Sequence, residues 1–156
     1  MKMIRNEDAV SITLGFILIF FITILVFSAV IISFYTLSRQ SQQIATTQSF
    51  DILGSGIALK ISSTDGLINL TQYYGGTVNT LDYGFSIPAS MASDDYSINI
   101  TNGTNRVILL ESDNGAKTWI PYNTSIMLEE KLFFSGIEDY KLTYNGTSNR
   151  IVIKEQ

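Results

Sequence analysis

The sequence predicts an α+β chain: a long N-terminal transmembrane α-helix, then an antiparallel β-sandwich or barrel-like domain. Residues 9–38 carry no charge, and about twenty apolar residues already span a bilayer core as a helix. Beyond residue 54 the chain breaks into short β-branched and aromatic runs separated by Gly, Asn and Asp. All five Asn-X-Ser/Thr sequons follow the apolar run.

Residues 1–8 form a short leader or cytoplasmic tail holding Lys2, Arg5, Glu7 and Asp8. The helix at 9–38 has its core at Leu14-Gly15-Phe16-Ile17-Leu18-Ile19-Phe20-Phe21-Ile22-Thr23-Ile24-Leu25-Val26-Phe27, where polar and apolar residues never alternate. A buried core helix of a soluble protein is the competing reading, but so small a chain has too little else to cover every face. A cleaved signal peptide has an apolar region of about 7–15 residues, shorter than this run, with a small-residue site behind it. Phe34-Tyr35-Thr36-Leu37 does not match such a site. Lys2 and Arg5 precede the run and Arg39 alone follows it closely. That balance predicts a cytoplasmic N-terminus, with residues 40–156 exported.

Residues 39–53 lack Gly and Pro and continue as a polar helical stalk. Gly54 and Gly56 are the first strong breakers and are expected to end the helix. Residues 54–156 then form the exported β-domain. Its expected strands are 58–62, 67–73, 81–87, 96–101, 107–111, 125–129, 140–144 and 151–154. Turn signals separate them at Asp65-Gly66, Gly75-Gly76, Asn102-Gly103, Asn114-Gly115 and Asn145-Gly146. Two β-hairpins follow directly. Tyr96–Thr101 turns through Asn102-Gly103-Thr104-Asn105 into Val107–Glu111, and Tyr140–Tyr144 turns through Asn145-Gly146-Thr147-Ser148 into Ile151–Lys154. About 100 residues bury one modest core, and no second domain fits.

The composition removes whole classes of chemistry. Among 156 residues there is no His and no Cys. Ser-His-Asp and Cys-His catalysis, zinc fingers and Cys- or His-ligated haem and iron–sulfur sites are excluded. A net charge of −4 argues against a nucleic-acid partner, which needs clustered Lys and Arg. The sequons at Asn69, Asn99, Asn102, Asn123 and Asn145 point instead to an exported surface that accepts glycans. Ten Asn, with Ser and Thr at about a fifth of the chain, give about two sequons by chance, so five is an excess. A Ser/Thr/Asn-rich β-domain producing sequons incidentally is the competing account.

Asp8-Ala9-Val10-Ser11-Ile12-Thr13-Leu14-Gly15-Phe16, followed by the long Ile/Leu/Val/Phe helix, resembles the N-terminus of archaeal type IV pilin-like proteins, archaellins among them. Ala9-Val10-Ser11 and Gly15 fall where those proteins often read Ala-Val-Ser-x-x-x-Gly. Ser86-Ile87-Pro88, Tyr96-Ser97-Ile98-Asn99-Ile100 and Leu142-Thr143-Tyr144-Asn145-Gly146 are similar to their C-terminal β-domains. The resemblance implies a helix that sits first in the membrane and later in a filament core, with the β-domain outside, serving adhesion or motility. Implied partners are membrane lipid, further copies of the chain or other pilin-like subunits, and a surface-layer or assembly-machinery protein.

Small residues four apart, Ser11 with Gly15 and Ala29 with Ser33, would let helix backbones approach closely. Small residues also recur by chance in any long apolar helix. The processing region Asn6, Glu7, Ala9, Val10 departs from the family pattern. Asp8 stands where a basic residue would precede the cut after Ala9, and a cut after Asn6 has no small residue before it. Two readings therefore stand: a filament subunit, or an uncleaved bitopic anchor that binds a surface partner.

Other chemistry is weak. Asp94-Asp95 and Asp113-Asn114 are oxygen ligands of the kind Ca²⁺ takes, but without EF-hand spacing. Glu129-Glu130 and Glu138-Asp139 are carboxylate doublets, and adjacent strand residues face opposite ways, so neither makes an acid–base pair. Gly54-Ser55-Gly56 lacks the Lys of a phosphate loop. Eight Tyr and Trp119 are stacking platforms for glycans or a partner, or simply residues that half-buried strands favour. No enzymatic activity and no cofactor are expected.

Overall fold

The computed structural model describes residues 6–92, 94–103, 106–136 and 139–155, with side chains from Val10 onward. Lys2, Arg5, the turn residues Thr104 and Asn105, and Glu138 lie outside the described residues. Asn6, Glu7, Asp8 and Ala9 are described as helical backbone alone. The chain divides into two compact units, Met1–Ser41 and Gln42–Gln156.

One helix, α1, runs from Asn6 to Tyr73, 68 residues without a break. The strands expected at 58–62 and 67–73 are therefore helix, and Gly54 and Gly56 do not stop it. The sequence carries the reason. Thr46, Phe50, Gly54, Ile57, Ile61, Thr64 and Ile68 recur three or four apart and are all buried, which is the spacing of one helical face. That face joins the core, so tertiary packing outweighs the helix-breaking tendency of two glycines. The 39–53 segment is helical as expected, but from Thr46 onward one side of it is core.

Gly54 allows the helix to sit close to the sheet. A Cβ built there would lie 2.6 Å from Ile120 Cγ1 and 2.9 Å from Leu110 Cδ1. Gly54→Val is expected to lower the unfolding free energy by about 1–3 kcal/mol, the usual cost of overpacking. Gly56→Ala, where an added Cβ meets nothing within 4 Å, is expected to raise it by roughly 0.5–1 kcal/mol through helix propensity. Urea denaturation of the two variants in detergent checks the opposite signs.

The helix ends where Gly75 takes a left-handed φ of 81°. Gly76 N–H donates to Thr71 O at 2.9 Å and Gly75 N–H to Gln72 O at 3.0 Å. This pair of bonds is the Schellman motif, which needs a residue without Cβ at the left-handed position.

Among the described residues eight strands follow: β1 Thr80–Ser86, β2 Tyr96–Thr101, β3 Val107–Ser112, β4 Lys117–Pro121, β5 Met127–Leu128, β6 Lys131–Phe134, β7 Asp139–Asn145 and β8 Arg150–Glu155. They form two separate four-stranded sheets, β1-β7-β8-β5 and β4-β3-β2-β6. A closed barrel is thus set aside. Both expected hairpins are present, β2 with β3 and β7 with β8, in antiparallel register. β5 pairs with β8 in parallel, Met127 opposite Arg150, an exception to the expected antiparallel pattern. β4 and β6 were not anticipated.

Inward-facing residues of both sheets and the helical stripe share one hydrophobic cluster. Aromatic rings fill part of it: Phe50 lies 5.5 Å from Tyr96 and Phe133 lies 4.8 Å from Tyr140, centroid to centroid. Their hydroxyls find backbone acceptors, Tyr96 to Pro88 O at 2.5 Å and Tyr122 to Thr101 O at 2.9 Å.

Burial pushes the Tyr96 phenol up to about 12, with Tyr140 adding to the rise. Burial also raises Tyr122 and Tyr140. A raised folded pKa means the stabilisation is complete below the unfolded value near 10 and is lost as pH climbs through the folded value. Between about pH 10 and 12 Tyr96 is expected to remove about 1.4 kcal/mol per pH unit. Far-UV circular dichroism against pH should show a steep alkaline unfolding that Tyr96→Phe makes shallower.

Candidate functional site

Two features are candidates for function: the apolar part of α1 and the surface that carries the sequons. In the apolar part every large hydrophobic side chain from Val10 to Leu37 is exposed, from 43% at Ile17 to 74% at Ile12. The apolar character therefore runs all the way round the helix. This helix is long and apolar enough to cross a membrane, with a mean hydropathy of 3.0 over its most apolar stretch. Thirty residues at 1.5 Å each extend about 45 Å, more than the roughly 30 Å of a bilayer core.

Three hydroxyls inside this segment are satisfied by their own helix. Thr23 Oγ1 donates to Ile19 O at 2.8 Å, Ser33 Oγ to Ala29 O at 2.8 Å and Thr36 Oγ1 to Ile32 O at 2.9 Å. Such back-bonded hydroxyls need no water. At the segment's end the Arg39 guanidinium lies 5.6 Å from the centroid of the Tyr35 ring.

Ser11, Gly15, Ala29 and Ser33 all lie on this helix and are exposed. Eighteen residues separate Ser11 from Ala29, and at 3.6 residues per turn that is five whole turns. The two small pairs therefore share one face. A Cβ added at Gly15 meets nothing within 4 Å.

The sequons differ in what surrounds them. Asn69 lies on α1 and its Nδ2 donates to Asp65 Oδ2 at 3.2 Å and to Ser125 Oγ at 2.9 Å. Asn99 sits half-exposed in the middle of β2. Asn102 begins the β2–β3 turn; its backbone N–H donates to Glu130 Oε1 at 3.0 Å, and its own Oδ1 is buried without a hydrogen-bond partner. Asn123 is exposed, and its carbonyl accepts from Ser62 Oγ at 3.1 Å. Asn145 is exposed at the β7–β8 turn, where its Oδ1 accepts the N–H groups of Thr147 and Ser148.

The acidic candidates serve as turn stitching. Asn114 Nδ2 donates to Asp94 Oδ2 at 2.5 Å, Asn114 Oδ1 accepts from Ser112 Oγ and Ala116 N–H, and Asn114 O accepts from Gln43 Nε2 at 2.9 Å. The fold thus does bring the 94–95 and 113–114 segments together, into hydrogen bonds with each other and with α1. Beside them lies an open depression of about 600 Å³ lined by Asp95, Ser97, Glu111, Asp113, Phe134 and Ser135, among others. Among the described residues no group of three or more acidic side chains is placed to hold a metal ion. Glu129 and Glu130 border a second hollow of about 280 Å³ together with Lys131 and Lys154.

The turn expected at Asp65-Gly66 is helix instead, and Asp65 has a role that a turn residue would not have. It lies on α1, and its Oδ1 accepts from Thr124 Oγ1, Ser125 N–H, Ser125 Oγ and Ile126 N–H at 2.8–3.2 Å. Only its position three residues before Ile68 on a helical stripe would have placed it beside the core.

Comparison with family models, with characterised proteins and with solved structures finds no match.

Proposed function

We propose that the chain is a structural subunit, a pilin or minor pilin, of a cell-surface filament of the archaeal type IV pilin-like kind. α1 mediates assembly and the β-rich unit forms the exposed, glycan-bearing surface, in adhesion or motility. The observation that carries this reading is the double use of one uninterrupted helix. Its first part is apolar on every face and exposed, while its second part supplies a buried stripe to a β-rich core. An all-round apolar helix needs lipid or other helices as its solvent. The small residues Ser11, Gly15, Ala29 and Ser33 share a face that suits helix–helix contact.

A second reading, an uncleaved bitopic anchor that binds a surface-layer or assembly partner, is favoured by one observation. Asp8 occupies the place of the basic residue expected before a cut at Ala9. The test is the N-terminal sequence of the protein from its own cells, together with electron microscopy of filaments sheared from those cells. A new N-terminus between Glu7 and Ser11, with the chain in the filaments, is expected. An intact start with the chain confined to the membrane fraction would overturn the filament reading in favour of the anchor.

A further inference from the structure

The outer faces of the two sheets differ in their central rows. On the β1-β7-β8-β5 sheet the cross-strand rows are Asp82–Thr143–Val152 and Gly84–Lys141–Lys154, tied by Lys141 to Asp82 at 3.7 Å. That face is polar. On the β4-β3-β2-β6 sheet the central row reads Trp119–Leu109–Asn99–Leu132. Pro121, Val107 and Thr101 flank this row on one side; on the other lies the row Lys117–Glu111–Ser97–Phe134, in which Lys117 Nζ pairs with Glu111 Oε1 at 2.6 Å. Trp119 and Phe134 are each 62% exposed and Leu132 is 51% exposed. Large exposed apolar side chains grouped along one row call for something that covers them.

The only amide in that central row, Asn99, is also the first residue of a sequon. Thr101, two residues on, shares its face, as alternate strand residues do. Leu109 is directly opposite Asn99 on β3, and Trp119 is one strand further, roughly 10 Å away at about 4.8 Å per strand. An oligosaccharide attached at Asn99 Nδ2 reaches that far with its second sugar. Pyranose rings present an apolar C–H face, and an exposed indole is the best flat partner for one.

We infer that Asn99 carries an N-linked glycan whose first sugars lie along Leu109 and stack on Trp119, so that the chain's own oligosaccharide covers the apolar sheet face. The inference rests on the exported-surface reading above. The other four sequons lack this setting: the Asn69 amide is engaged by Asp65 and Ser125, and Asn102, Asn123 and Asn145 lie in loops and turns.

Trp119 is the only tryptophan in the chain, so its fluorescence reports this face alone. The full chain is purified from its own cells in detergent, as wild type and as N99Q, T101A and N145Q. T101A destroys the sequon but keeps the amide, at the expense of the Thr101 Oγ1 bond to Val107 O. Glycopeptide mass spectrometry is expected to find sugar on Asn99. Acrylamide quenching of Trp119 is expected to be about threefold weaker in wild type and N145Q than in N99Q and T101A, because a stacked sugar takes one indole face out of water. Sugar on any of Asn69, Asn102, Asn123 and Asn145 with Asn99 bare would overturn the inference and leave the exported reading standing. No sugar at any sequon would overturn the inference together with the glycan-bearing surface, and leave export resting on the apolar helix and its flanking charges. A glycosylated Asn99 with equal quenching in all four proteins would overturn the stacking.

Discussion

Ile22→Lys is expected to leave the protein largely out of the membrane and out of any filament. Ile22 lies near the middle of the charge-free run and is 51% exposed on α1. Its neighbours on the helix are apolar, so a lysine there has no counter-charge. Snorkelling does not rescue it: either end of the run is about 20 Å away along the helix, several times the reach of a lysine side chain. A mid-helix cation costs about 2.5–3.5 kcal/mol on insertion scales, which is about a hundredfold in partition at 1.4 kcal/mol per decade. Carbonate extraction of cell membranes measures the effect. Ile52→Lys is the matched control. Ile52 is even more exposed, at 77%, but it lies beyond the apolar segment, and its variant is expected to partition like wild type. Equal membrane recovery of Ile22→Lys and wild type would defeat the spanning-helix reading and, with it, both functional readings.

The two hairpins and the helix that follows the leader were legible because each rests on local rules. Alternation in Tyr96–Thr101 and Lys141–Tyr144, with Asn-Gly at the turns, sets strand, register and turn together. The C-terminal half of α1 was misread because a rule about glycine outranked a pattern about periodicity. Gly54 and Gly56 read as stops, yet Phe50, Ile57, Ile61 and Ile68 stood at helical spacing throughout. Gly54 is small because Ile120 and Leu110 press against it, a contact 56 or more residues away in sequence that no local rule carries. β4 and β6 carry weak strand signals, since neither Lys117–Pro121 nor Lys131–Phe134 alternates polar with apolar residues. β4 ends in a proline, which is tolerated at its edge position. The parallel β5–β8 pairing is a long-range event that leaves no mark in either segment. The surface was only partly legible. The sequons were plain in the text, but the row that joins Asn99 to Trp119 exists only once β2, β3 and β4 are in register.

Asp65 gives the largest expected stability effect in the β-rich unit. The carboxylate collects five donated hydrogen bonds, four on Oδ1 from Thr124, Ser125 and Ile126 and one on Oδ2 from Asn69. Two of the donors are the backbone N–H groups of Ser125 and Ile126, in the segment between β4 and β5. Ser62 Oγ, one turn earlier on α1, reaches the same segment at Asn123 O. One face of the helix thus fixes a loop that has little secondary structure of its own. Hydrogen bonds to a charged group are worth about 1.5–3 kcal/mol each, and they do not add. Asp65→Ala is expected to remove about 3 kcal/mol, since the orphaned Ile126 N–H keeps Thr124 Oγ1 as an acceptor while Ser125 N–H turns to water. Asp65→Asn keeps the shape but replaces half of the acceptor capacity by donors, and is expected to fall between. Thermal unfolding of the full chain in detergent should show Asp65→Ala melting roughly 10 °C below wild type. Hydrogen exchange at the Ser125 and Ile126 amides should accelerate in the same variant before global unfolding, because the loop opens first. A melting point within about 2 °C of wild type, with unchanged exchange at those two amides, would mean that the loop is held by the burial of Ile126 and Leu128 rather than by the carboxylate.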